Sequence, residues 1–127
     1  MADSAFIREV NHRASLLTGS FNPGRAINWV RQEGNIQRIY RLQSDTRQYL
    51  AGDIPQYEVS EFWRGIEGSP EIKAFISCLD SGAQVLIQRG RKGDIYSVPV
   101  LHCVVRHFIQ HYLKCTPEIM PESAGEA

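Results

Sequence analysis

The chain has 127 residues, 43% of them hydrophobic and 22% charged, and its 14 basic and 14 acidic side chains leave a formal net charge of zero. That length fits one domain able to bury a core without metals or disulfides, and no apolar run approaches the roughly 20 residues of a membrane helix. The start "MADSAFIREV" has no basic region followed by an apolar core, which argues against a secretory signal. Three cysteines without a C-x-x-C pair read as reduced thiols, so the expected location is intracellular, in the nucleus if the source is eukaryotic and otherwise in the cytoplasm.

Along the chain, Ala5–Val10 and Ala14–Thr18 read as two strands turned at Asn11 and His12. Asn22 caps a helix that opens at Pro23, where the missing proline N–H would have been unpaired anyway, and Gly34 stops it. Ala26, Ile27 and Val30 give its buried face. Asn35 caps a second helix reaching about Leu50, with Ile36, Ile39, Tyr40, Tyr49 and Leu50 at helical spacing and Gly52 at the end. These two form a helix-turn-helix-like pair, and Arg38 and Arg41 fall away from its apolar side. From Asp53 to Gly68, Pro55 and Gly65 break the pattern, leaving a helical turn at Ser60–Trp63.

"SPEIKAFISCLDSG" repeats the capping logic: Ser69 as cap, Pro70 at the first position, Glu71 in the first turn, a helix to about Leu79, and Gly82 to close it. "QVLIQRGRKGDIYSV" then reads as a β-hairpin. Val85 and Ile87 share one strand face, and Gly90 and Gly93 supply the positive φ of a tight turn. Arg89, Arg91 and Lys92 form its basic tip. A last helix over about 99–114 opens at Pro99 and packs through Leu101, Val105, Phe108 and Tyr112. Residues 116–127, with two prolines and three Glu, read as a disordered tail or linker after a domain of residues 1–115. The expected fold is α+β, winged-helix-like, with a helix pair, a β-hairpin wing and a C-terminal helix.

The neutral total hides segregation. Residues 11–48 balance at +4, 49–85 at −4 and 86–115 at +4, while the first ten contribute −1 and the last twelve −3. Eleven of the basic residues are Arg, whose planar fork of donors suits phosphate and carboxylate. On the last helix Cys103, His107, His111 and Cys115 recur every four residues. Neighbours at that spacing can share a metal, but Cys103 and Cys115 would lie roughly 18 Å apart, and no metal site is assigned. No P-loop, G-x-G-x-x-G, G-x-S-x-G or paired-carboxylate signature is present, so neither catalysis nor a cofactor is expected.

The order of these features resembles the KilA-N/APSES class of DNA-binding domains over residues 20–113. The matching positions are Phe21-Asn22, Gly34, Arg41-Leu42 and Thr46, then Gly93, Tyr96 and Pro99 followed by Leu101, Val105 and Phe108. The resemblance implies a winged-helix-like core whose helix pair and wing face duplex DNA. Arg89, Arg91 and Lys92 would then contact phosphate or a groove, with Arg31, Arg38 and Arg41 orienting the helix pair. Pro23-Gly24 stands where that class has Ala-Thr. This departure and the neutral charge point to an alternative, a protein- or peptide-binding module of the same fold.

Overall fold

In α1, Ser4–Thr18, the residues Phe6, Val10, Ala14 and Leu17 recur at steps of three and four. That spacing builds one apolar stripe on a helix, and it wins over the local alternation that suggested two strands. The computed structural model describes residues 4–113, and every element among them is helical. After α1 come α2 (Pro23–Val30), α3 (Asn35–Arg47) with a 3₁₀ turn at Gln48–Ala51, α4 (Gln56–Glu67), α5 (Pro70–Ile76) with a 3₁₀ turn at Ser77–Leu79, α6 (Ser81–Arg91) and α7 (Ser97–Tyr112). No described helix is long and apolar enough to cross a membrane.

α7 is the centre of the bundle. Val98, Leu101, Val104, Val105, Phe108 and Ile109 are all buried on it, and a helix apolar on nearly every side must be covered on nearly every side. α1 and α3 pack along it, and α2 and α6 complete the cover. At its carboxyl end Phe21, Phe75, Phe108 and Tyr112 form one aromatic cluster, with ring centroids 5.4–6.1 Å apart.

Two helix starts follow the capping chemistry read from the chain. The Asn22 side chain accepts from the Arg25 N–H ahead of Pro23, and the Ser69 hydroxyl accepts from the Ile72 N–H ahead of Pro70. Gly34 has a different place from the one expected. α2 already ends at Val30, and Gly34, at φ 83°, is the left-handed residue from which α3 starts.

The α+β expectation is overturned, because the proposed wing is a helix. In α6 the buried residues are Ala83, Leu86 and Gly90, at helical spacing, while Val85 is exposed. Gly90 is not a turn residue. A Cβ there would land on the Trp63 indole, so the glycine lets α4 and α6 approach. Trp63 is fully buried at that crossing and donates through Nε1 to Ser97 Oγ at 2.9 Å. Gly93 does have positive φ, 85°, but as the end of a helix. Its N–H bonds to Gly90 O, and Asp94 N–H reaches Arg89 O, the paired bonds of a Schellman cap. Asp94 Oδ1 then accepts from Tyr96 N–H and turns the chain into α7.

Pro55 and Gly65 do not break residues 53–68. Pro55 is the extended cap residue of α4, and Gly65 lies inside that helix. α7 begins at Ser97, two residues before Pro99. The expected tail at 116–127 lies outside the described residues, as does Cys115.

Candidate functional site

A long groove of about 650 Å3 runs between α3 and α4 and ends against the start of α5. Leu42, Ile66 and Ile72 are buried at its base and Phe62 is half-buried. The rim is polar and of both signs, with Arg38, Arg41 and Asp45 from α3 and Glu61 from α4.

The groove is anchored at its α3 end by the turn after α2. Buried Asn35 donates through Nδ2 to Trp29 O at 2.7 Å, and Trp29 Nε1 donates to Glu71 O at 2.7 Å, tying α2, α3 and α5 together. Arg38 belongs to this anchor. Its Nη1 donates to Asn35 Oδ1 at 2.7 Å and to Glu33 O at 3.3 Å. The guanidinium therefore stitches the helix start and is only partly presented to solvent. Arg41 is exposed and has no ion pair among the described residues.

On the other wall Gly65 faces the groove from the last turn of α4, and an added Cβ there would meet nothing within 4 Å. That sets it apart from the two glycines of α6, whose missing side chains are explained by neighbours, Leu17 for Gly82 and Trp63 for Gly90, while Gly24 in the first turn of α2 has only an ordinary contact with Asn22 Oδ1 at 3.6 Å. Gly65 costs α4 about 1 kcal/mol relative to alanine, and no internal packing accounts for it.

The structure divides the six expected DNA-contacting residues among several places. Arg38 and Arg41 border the groove, and Arg31 is exposed just after α2. Arg91 and Lys92 lie at the carboxyl end of α6, around a shallow depression shared with Arg64 and Glu67 of α4. Arg89 lines a separate cleft between α1 and α6. α4 stands between the two basic groups, with Phe62, Gly65 and Ile66 toward the groove and Trp63 toward α6. It carries acids to both sides. Glu61 pairs with Arg64, and Glu67 pairs with Arg91 at 3.2 Å. The negative block of the sequence is thus interleaved between the two positive ones.

On the polar stripe of α7, Cys103 and His107 are half-buried and His111 is exposed. The His107 and His111 rings lie with centroids 4.4 Å apart, tilted by 33°, and burial first, then the His111 charge, push the His107 pKa down. Burial pushes the Cys78 and Cys103 thiols up, which keeps them protonated. Among the described residues no group of three or more His, Cys, Asp or Glu side chains is arranged to hold a metal ion.

Phe62, Gly65, Ile66 and Ile72 are groove residues that sequence reasoning missed. The available signal was Phe62 and Ile66 at i, i+4 behind a proline in capping position. Comparison of the chain with known protein families, with curated proteins and with solved structures yields no match.

Proposed function

We propose that the protein is an all-helical interaction module that seats an amphipathic helix of a partner protein in the groove between α3 and α4. Gly65 carries this reading. A glycine inside an exposed stretch of helix, with open space where its side chain would be, suits the close approach of another backbone. The apolar base of Leu42, Phe62, Ile66 and Ile72 would take the anchors at i, i+3, i+4 and i+7 of the incoming helix, and the rim of both signs would fix its direction. Gly65→Trp tests it. An added Cβ at this position meets nothing within 4 Å, so circular dichroism and the melting temperature should be retained while the side chain fills the groove. A partner recovered by wild-type protein from nuclease-treated lysate should be lost with Gly65→Trp. Equal recovery by both proteins refutes the reading.

A second reading is duplex DNA binding through the helix pair α2 and α3. Arg31, Arg41 and Arg47 are exposed there without ion pairs among the described residues. Under this reading, affinity for a DNA duplex falls steeply with salt, and changing the three arginines to Ala flattens the slope. Absence of duplex binding at low ionic strength disposes of it.

A further inference from the structure

Only four large hydrophobic side chains are exposed among the described residues, and two of them, Leu16 (65% exposed) and Val85 (46%), line one cleft between α1 and α6. Leu17, Leu86 and Val100 form its inner wall. Its volume of about 200 Å3 is below the roughly 300–1,000 Å3 of small-molecule sites and suits one or two bulky apolar side chains. The electrostatics at its edge are one-sided. Arg13 is already held by Glu9 at 2.7 Å and Asp94 at 3.3 Å, with its guanidinium 4.3 Å from the Tyr96 ring centroid. Those two carboxylates are therefore engaged. Arg89 is exposed at the rim and has no ion pair among the described residues, and Lys92 follows it at the end of α6, equally unpaired. An apolar slot with satisfied anions and unsatisfied cations selects its ligand by charge as well as by shape.

We propose that the α1–α6 cleft is a second docking site, for an acidic segment of another protein that inserts one or two bulky apolar side chains beside Leu16 and Val85 and places a carboxylate on Arg89. The concavity favours a peptide over a lipid surface, since insertion into a bilayer calls for protruding apolar side chains. A second copy of the chain would bring the same unsatisfied cations to both sides of a two-fold contact.

The site is tested by fluorescence anisotropy with a short labelled amphipathic helix carrying Leu on one face and Glu on the other, and with the same peptide carrying Lys for Glu. The expected result is binding of the Glu peptide and not of the Lys peptide, and loss of binding in Leu16→Glu and in Val85→Glu. Both residues are exposed, so a retained melting temperature confirms that each variant is folded. Arg89→Glu should weaken the Glu peptide about tenfold and admit the Lys peptide. Gly65→Trp should leave this binding unchanged, separating it from the groove between α3 and α4. Equal binding of the two peptides overturns the proposal, as does no binding or binding indifferent to Arg89→Glu. So does attachment to anionic vesicles without peptide binding, or self-association abolished by Leu16→Glu.

Discussion

Lowering the pH places the buried imidazole of His102 under strain whose size can be worked out. The side chain is 2% exposed between α3 and α7, with Nδ1 2.8 Å from Thr46 Oγ1. The Thr46 hydroxyl also lies 2.8 Å from Leu42 O and 3.2 Å from Gln43 O, and with its single proton given to a backbone carbonyl, Nδ1–H is the donor in the His102–Thr46 bond. Loss of water, with added repulsion from Arg106 and Arg47, pushes the His102 pKa from 6.5 down to about 4. The unfolded chain thus takes up a proton near the ordinary value that the folded chain refuses until much lower pH. The stability contributed is complete above the unfolded pKa and drains away as pH falls toward the folded one. A difference of one pKa unit between the folded and unfolded chain is worth about 1.4 kcal/mol, so the loss approaches about 3 kcal/mol. That is a large part of the roughly 5–15 kcal/mol that stabilises a domain. Urea unfolding of wild type and His102→Asn, from neutral pH to about pH 4, reads it directly. The asparagine amide can keep the Thr46 hydrogen bond but does not titrate, so carboxylate effects common to both proteins cancel. Wild type should lose about 3 kcal/mol more than the variant over this range. Parallel curves, or an imidazole that titrates near its ordinary value by NMR, would refute the reasoning.

Three further substitutions have signs fixed by the structure. Gly90→Ala forces a methyl group into the Trp63 indole and disturbs its bond to Ser97, so urea unfolding should show a loss of about 3 kcal/mol; a loss below about 1 kcal/mol would mean that α4 and α6 can move apart. Gln43 is buried with no hydrogen-bond partner for Nε2 among the described residues, so Gln43→Met should raise stability by about 1 kcal/mol, and a lowered melting temperature would contradict this. Asp80 is held at φ 54° before α6, a conformation that favours glycine. Asp80→Gly and Asp80→Ala both remove the exposed pair with Arg25, so unfolding should show the Gly variant more stable by about 1 kcal/mol, the reverse of the usual order, and equal stabilities would remove the strain.

What could be read from the chain was whatever neighbouring residues decide among themselves. Asn22-Pro23 and Ser69-Pro70 carry their helix starts within one turn, and both helices form where those caps place them. The apolar series of α7 was equally plain. Gly90 was misread because its role depends on Trp63, on a helix distant in sequence, and a glycine between two cations looks locally like a turn. Once it was assigned to a turn, Val85 and Ile87 supplied a false strand face, although Ala83, Leu86 and Gly90 carried the helical period. Half of the groove was legible for the same reason: Arg38 and Arg41 stood on a recognisable helix, whereas Phe62 and Gly65 lay in a segment that Pro55 and Gly65 made look broken.

The charge pattern has a similar explanation. Segregation of charge along a chain becomes a one-sided surface only if elements of one sign are neighbours in space. Here α4, from the acidic block, is packed against α6 and borders the groove with α3, so it separates the cations that the sequence placed in two like-signed blocks. Glu67 pairs with Arg91, and Arg38 donates to the Asn35 side-chain oxygen and the Glu33 backbone carbonyl. Of the exposed arginines without an ion pair among the described residues, Arg41 beside the groove and Arg89 beside the α1–α6 cleft stand next to apolar surface, whereas Arg31 and Arg47 line neither cleft. A cation in that setting gains most from a ligand that covers the apolar surface at the same time, because excluding water strengthens the ion pair it forms. A bare phosphate backbone supplies charge without that cover, and this is the physical ground on which we propose protein partners ahead of duplex DNA for the two clefts.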